Sequence, residues 1–331
     1  MTTIKDIAKK AGVSVATVSR AINNKIDISE DMRKYILKII DDMGYVPNSI
    51  AKNLSHGRTN LIAVMLPTLN NQFFSDLLSE IEKEANKNGY NTLFFNSSDD
   101  RTKVEYYLNS MRSNFVCGAI INSLSVTGKD LENLEKNGIK TITIDRSGSD
   151  PHYSSVTVDH RTGGRIATEH LFEKGCQHPV MLSGAPDDAI ANERMAGFAE
   201  VILSKTGRTN ITVIHSDLTA PGGHHAFMEF IRKGEKFDGV FCSNDAMAFG
   251  AIRACTDSGI KVPDDLLVVG YDNSSMDEMF VPRLSSVNQH LNKIGQLSIE
   301  SMIELINGRT EIKHLSITPE LVIRESTLKR E

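Results

Sequence analysis

The sequence predicts two unlike parts: a small all-α head of three helices followed by a short hinge helix, and a larger α/β body of two lobes on doubly wound parallel sheets. Three observations predict this. The first 60 residues carry short helical apolar stripes, whereas from Leu61 onward apolar strand-like runs alternate with amphipathic helices. The length, 331 residues, suits two or three domains, and 40% hydrophobic with 24% charged residues excludes a disordered or fibrous chain. Charge divides at the same place. Residues 1–60 hold ten Lys/Arg and six Asp/Glu, a net of +4, while the remainder holds 27 and 36, a net of −9 inside a total of −5. A basic head on an acidic body is the asymmetry of a polyanion-binding module joined to something that binds elsewhere.

In the head, Ile4, Ile7, Ala8 and Ala11 fall at i, i+3, i+4 and i+7, with Thr3 to cap that helix and Gly12 to stop it. Ser14 caps a second helix, Val15–Asn23, that turns Val18, Ala21 and Ile22 inward and Val15, Ala16, Ser19 and Arg20 outward. A third begins at Ser29, carries Glu30 and Asp31 in its first turn, buries Ile36, Ile39, Ile40 and Met43, and ends at Gly44. Two short helices about a glycine turn have the helix-turn-helix shape. The outward face favours nucleic acid over plain solvation. Short Val15 and Ala16 match a thymine methyl, Arg20 suits guanine O6/N7, and the hydroxyls of Ser14, Thr17 and Ser19 suit phosphates. After Gly44, Pro47 opens a helix to Ser55 that is too short to persist unsupported, since about 12 residues are normally needed. Leu54 at its exposed end has the character of a minor-groove wedge.

The body shows strands at Leu61–Leu66, Asn91–Phe95, Ala119–Asn122, Lys140–Ile144, Val180–Ser183, Ile211–His215, Gly239–Cys242 and Leu267–Gly270. Helical patterns lie between them at Phe74–Asn88, Val104–Arg112, Arg161–Lys174, Met195–Lys205, His224–Lys233 and Asp245–Asp257. Ligands of such sheets sit beyond the carboxyl ends of the strands. The polar residues there are Asn70, Asn71, Asp145, Arg146, Asn244, Asp245 and Asp272, with Arg194 opening a helix. Carboxylates, amides and Arg hydrogen-bond vicinal hydroxyls, and Phe73 or Phe74 can cover a sugar's apolar face. Helix capping is the competing use of Asn244 and Asp245.

Little points to catalysis. There is no P-loop, dinucleotide fingerprint, H-E-x-x-H or G-x-S-x-G. Asp99-Asp100 and Asp187-Asp188 read as turn or capping acids, and adjacent His224-His225 cannot both face one metal from a helix. We expect no enzyme, no catalytic residue, no metal and no cofactor. Cys117, Cys176, Cys242 and Cys255 form no C-x-x-C pair and read as reduced, buried thiols. MTTIKDIAKK lacks a secretory apolar core, and no stretch approaches the ~20 apolar residues of a membrane span. This predicts a cytoplasmic protein with no membrane partner.

The run IKDIAKKAGVSVATVSRAIN, followed by GYVPNSIAKNL, closely resembles the lactose-repressor (LacI/GalR) family of bacterial transcription regulators. The resemblance extends along essentially the whole chain through I-D-R, R-x-x-G-F, N-D-x-M-A-x-G and G-Y-D. It implies a helix-turn-helix DNA-binding domain at 1–46, a hinge helix and linker at 47–59, and a periplasmic-binding-protein-like effector and dimerisation domain at 60–331. Carried across by position, DNA contacts fall to Ser14, Val15, Ala16, Thr17, Ser19, Arg20, Asn23, Tyr45, Asn48, Ala51 and Leu54. Effector contacts fall to Phe73, Phe74, Asp145, Arg194, Asn244, Asp272 and Gln289, led by Arg194 and Asp272. The implied partners are a near-palindromic operator duplex, a sugar or sugar-phosphate effector, and a second copy of the chain, with a tetramer as the next assembly. The implied function is repression of carbohydrate uptake or catabolism genes. The alternatives are a global regulator with a phosphocarrier-protein corepressor and a sugar-binding protein with no DNA role. Two departures stand out: Gln72 where many members have Pro, and Leu218 where an aromatic often lines the pocket. KGCQHP at 174–179 resembles members from Gram-positive bacteria that control ribose or sucrose genes.

Overall fold

The structure is a computed structural model and describes residues 2–22, 27–45, 59–145 and 151–328. The chain divides into two compact units, Met1–Thr59 and Asn60–Glu331. In the first, α1 (Ile4–Ala11), α2 (Val15–Ile22) and α3 (Glu30–Asp42) follow the predicted caps. The Thr3 hydroxyl accepts from the Asp6 N–H while the Asp6 carboxylate accepts from the Thr3 N–H at 2.9 Å, and Gly12 ends α1 at φ 67°. The Ser14 hydroxyl accepts from the Thr17 N–H at 3.1 Å, and Ser29 caps α3. Ile7, Ala8, Val18, Ala21, Ile36 and Ile39 form the core, with Ile22, Ile40, Met43 and Tyr45 packed around them. The predicted hinge helix lies outside the described residues, as do Asn23, Asn48, Ala51, Leu54 and Arg146.

The second unit contains two six-stranded sheets. The first lobe runs β1 (Leu61–Leu66), α4 (Gln72–Lys87), β2 (Asn91–Asn96), α5 (Arg101–Ser113), β3 (Gly118–Ile121), α6 (Gly128–Lys136), β4 (Lys140–Ile144) and β5 (Ser154–Val158). The chain then crosses to the second lobe with α7 (His160–Glu173), β6 (Pro179–Ser183), α8 (Ala189–Thr206), β7 (Val213–His215), α9 (Ala220–Arg232), β8 (Gly239–Cys242), α10 (Asp245–Asp257), β9 (Leu267–Asp272) and β10 (Ser285–Asn288). It returns with α11 (Leu291–Ile306) and β11 (His314–Ile317), then crosses again to β12 (Glu320–Val322). The sheets are ordered β11-β5-β4-β3-β1-β2 and β12-β10-β9-β8-β6-β7. All pairings are parallel except β10 with β12. Each sheet reverses its winding beside β1 or β6, and a crevice opens at such a reversal, at the carboxyl ends of the strands.

Elements the hydrophobic pattern did not announce include α6, α11 and four strands, β5, β10, β11 and β12. β5 (SSVTV) and β10 (SSVN) are buried yet serine-rich, because their hydroxyls find partners. Ser155 Oγ lies 3.0 Å from His314 Nδ1, and Ser285 Oγ donates to the Arg324 carbonyl at 3.0 Å. Hydrogen-bonded polar groups tolerate burial, so apolar content alone does not reveal such strands.

Close packing of α7 on α8 depends on glycine. A Cβ at Gly164 would overlap the Arg194 carbonyl, one at Gly197 the Arg161 carbonyl, and one at Gly163 the Tyr271 ring. The four cysteines are free and buried. No helix among the described residues is long and apolar enough to cross a membrane.

Candidate functional site

In the head, α2 buries Val18 and Ala21 and presents Val15, Ala16 and Arg20 to solvent, with Thr17 and Ser19 half-buried. Arg20 Nε lies 3.1 Å from Asp27 Oδ2, with both side chains more than half exposed. Such a pair is worth about 0–1 kcal/mol, so Arg20 gives it up readily for a base or phosphate. Ser14 is committed to capping, and its hydroxyl also lies 2.9 Å from that of Thr17. Tyr45 is half-buried against the head core, and its N–H donates to the Ile40 carbonyl at 3.0 Å.

In the body, strand ends and crossovers bring Asp145, Arg194, Asp272 and Gln289 to the cleft together with two residues that sequence reasoning missed, His160 and Tyr271. Arg194, on the second turn of α8, is 8% exposed, with its guanidinium 3.7 Å above the centre of the Tyr271 ring. Its Nη1 donates to the Ser243 carbonyl, and Nε and Nη2 each lie 3.3 Å from His160 Nδ1. A guanidinium has five N–H donors. Those three contacts and the Tyr271 hydroxyl beside it do not use the whole set. The Tyr271 hydroxyl lies 3.1 Å from the same His160 nitrogen, and burial raises its pKa. Asp145 Oδ1 lies 3.2 Å from His160 Nε2 and accepts from the Val158 N–H at 2.8 Å. Gln289 Nε2 donates to Asp272 Oδ1 at 2.6 Å, while Gln289 Oε1 is buried with no hydrogen-bond partner.

Eight non-glycine residues among those described hold positive φ, and Ser98, Asp99 and Phe115 lie away from this cluster. Asp145 (φ 42°), Leu218 (φ 63°), Asp272 (φ 124°), Asn273 (φ 54°) and His290 (φ 58°) all hold positive φ at strand ends or crossovers. Each such residue costs on the order of 1–3 kcal/mol, and strain of this kind concentrates at ligand clamps.

Beneath Asp272 lie two more buried carboxyls. Asp245 accepts from the Ser286 hydroxyl at 2.6 Å and the Ser274 N–H at 2.9 Å. Asp277 accepts from the Ser274 hydroxyl at 3.0 Å and has Arg324 Nη1 at 3.6 Å. Burial raises all three pKa values, and the Asp245 carboxylate raises Asp272 and Asp277 further. Folded, these groups hold protons that the unfolded chain releases near pH ~3.9, so their effect is to lower stability as pH rises above that value. The melting temperature of the body therefore falls between pH 5 and pH 9, and Asp277→Asn, neutral and nearly isosteric, flattens that fall. Parallel pH profiles for the two proteins in scanning calorimetry contradict this.

The other candidates are placed less directly. Phe73 belongs to the first-lobe core, with Phe74 edge-on at 5.1 Å. Asn71 caps α4, accepting from the Phe73 N–H at 3.0 Å, and Asn70 is exposed. Asn244 caps α10, accepting from the Met247 N–H at 2.8 Å and donating to the Leu218 carbonyl at 2.9 Å, so both ends of its amide are engaged. Leu218 packs against the second-lobe core. His224 faces Asp257 at 2.9 Å and His225 faces Glu229 at 3.4 Å, so the two rings have separate partners. A groove of about 600 Å³ lined by Phe172, His178, Lys205, Arg208 and Lys236 lies at the amino ends of the second sheet and includes none of the cleft residues.

Residues 3–48 match the family described as bacterial regulatory proteins, lacI family, and residues 168–327 match the periplasmic binding protein-like domain. The chain is 32% identical over 328 residues to a ribose operon repressor of Halalkalibacterium halodurans, covering 99% of this chain and 97% of that one. It is 30% identical to catabolite control protein A of Priestia megaterium, covering 98% and 99%. Among solved structures, the Lac repressor dimer bound to operator and the anti-inducer ONPF superposes with a TM-score of 0.86 at 28% identity, covering 99% of each chain. A LacI family regulator from Enterococcus faecium with bound ribose superposes with a TM-score of 0.75 at 27% identity, covering 81% of this chain and all of that one. The helix-turn-helix head, the two-sheet body and these likenesses agree: the chain belongs to the lacI family of bacterial regulatory proteins and is a DNA-binding transcriptional regulator.

Proposed function

We propose that the protein is a repressor of carbohydrate uptake or catabolism genes that works in the cytoplasm as a homodimer on a near-palindromic operator, with a sugar or sugar phosphate in the body cleft as its switch. The observation that carries the effector reading is the cleft itself. Arg194 has N–H donors beyond its contacts with Ser243 and His160, and Asp272 and Gln289 offer a carboxyl group and an unpartnered amide oxygen, a set complementary to adjacent hydroxyls. Relatives named as a ribose operon repressor and as ribose-bound regulators make a pentose the first candidate. On the head, Val15, Ala16 and Arg20 are the proposed base readers, with the neighbouring hydroxyls on phosphates. Two-fold protein symmetry then requires two half-sites. Residues 47–59 join the units and are the proposed route of coupling.

A thermal-shift series of the full chain against D-ribose, ribose 5-phosphate, glucose, sucrose and a purine base tests the effector class. A ligand that binds only the native state at 100 times its Kd adds about 2.7 kcal/mol of stability. We expect a rise in melting temperature with at least one sugar or sugar phosphate and none with the purine; a response to the purine alone overturns the carbohydrate reading.

A further inference from the structure

His160 lies where the chain first passes from one lobe to the other, the opening residue of α7, with only the N-cap Asp159 between it and β5. Its side chain is 4% exposed. The surroundings fix its tautomer. Arg194 Nε and Nη2 both sit 3.3 Å from Nδ1, and because a guanidinium only donates, Nδ1 accepts and a neutral ring carries its proton on Nε2. That N–H lies 3.2 Å from Asp145 Oδ1 but outside hydrogen-bond geometry. Asp145 belongs to the first lobe, at the carboxyl end of β4, and is held by the Val158 N–H. Arg194 and Tyr271 belong to the second. One imidazole therefore faces a first-lobe carboxylate on one edge and a second-lobe guanidinium and phenol on the other, at a connection that must bend if the lobes turn. The donor is buried beside this acceptor but off its line.

We propose that His160 is the positioning residue that ties Arg194 to Asp145, so that rotation of one lobe against the other makes or breaks the His160–Asp145 hydrogen bond. The tie itself requires no ligand; only its use by a sugar acting through Arg194 rests on the function proposed above. The test uses the full chain with nitroxides at E132C on α6 and E229C on α9, both exposed, the native cysteines being buried. Distances are read by double electron–electron resonance without ligand. His160→Asn keeps an acceptor near Nδ1 but falls short of Asp145, whereas His160→Gln places a donor at the Nε2 position. Asp145→Ala removes Oδ1, the oxygen that both the Val158 N–H and His160 Nε2 face, and serves if His160→Asn folds poorly.

The expected result is a broadened interlobe distribution in H160N and D145A, no further broadening in the double variant, and a parent-like distribution in H160Q. H160N as narrow as the parent, or H160Q as broad as H160N, overturns the proposal and leaves the ring as core filling. Addition of D-ribose separates the two readings. If the parent shows no ribose-dependent change but the variants sort as expected, the ribose assignment fails and the tie stands; if ribose narrows the parent but the variants do not sort, the tie fails and the sugar reading stands.

Discussion

Arg194→Leu abolishes the response of the protein to its cleft ligand. The side chain stacks on Tyr271 and donates to the Ser243 carbonyl and His160, and its remaining donors are the ones proposed to hold the ligand. Charge-assisted hydrogen bonds contribute about 1.5–3 kcal/mol each, so losing one or two to a ligand weakens binding at least roughly tenfold. Arg194→Lys does not restore it, because a point charge on a flexible stem reproduces neither the fork nor the stacking. Isothermal titration with the sugar that stabilises the parent checks this; affinity within threefold of the parent in Arg194→Leu removes Arg194 from the site.

The second large effect lies in the scaffold. Gly164→Val drives a branched side chain into the Arg194 carbonyl where α7 crosses α8. The clash is with backbone, which cannot swing away as a side-chain tip does. Overpacking of a core costs about 1–3 kcal/mol, and a backbone clash lies at the upper end of that range or beyond it. For a unit of this size each kcal/mol lowers the melting temperature by roughly 2–4 °C, so a loss on the order of 10 °C is expected in scanning calorimetry. Because the displaced carbonyl is that of Arg194, ligand binding falls with it. A melting temperature within about 2 °C of the parent contradicts the packing argument.

Much of this was legible in the sequence. The head's caps and stripes are local signals, and Thr3, Gly12, Ser14 and Ser29 sit where their chemistry requires. The strands rich in Val, Ile and Leu were legible too. What escaped were elements whose burial is satisfied by hydrogen bonds, above all serine-rich β5 and β10, and missing β5 concealed His160, two residues beyond its end. Tyr271 lay inside a noticed motif, but nothing local shows that a tyrosine will lie under an arginine 77 positions earlier in the chain. The second use of a polar residue was likewise invisible: Asn244 spends both ends of its amide on α10 and the Leu218 loop, whereas Arg194 retains donors to offer. Long-range partnership separates a capping residue from a ligand, and sequence spacing does not carry it.

The central claim is that occupancy of the body cleft changes the grip of the head on DNA. Its most direct test is the affinity of the full chain for an operator duplex, selected by the protein from random sequence, measured by fluorescence anisotropy with and without the sugar that raises its melting temperature. The account predicts two symmetry-related half-sites and a change in affinity of about 5- to 150-fold, the range of ordinary allosteric coupling. The same affinity with the cleft empty and saturated would contradict it.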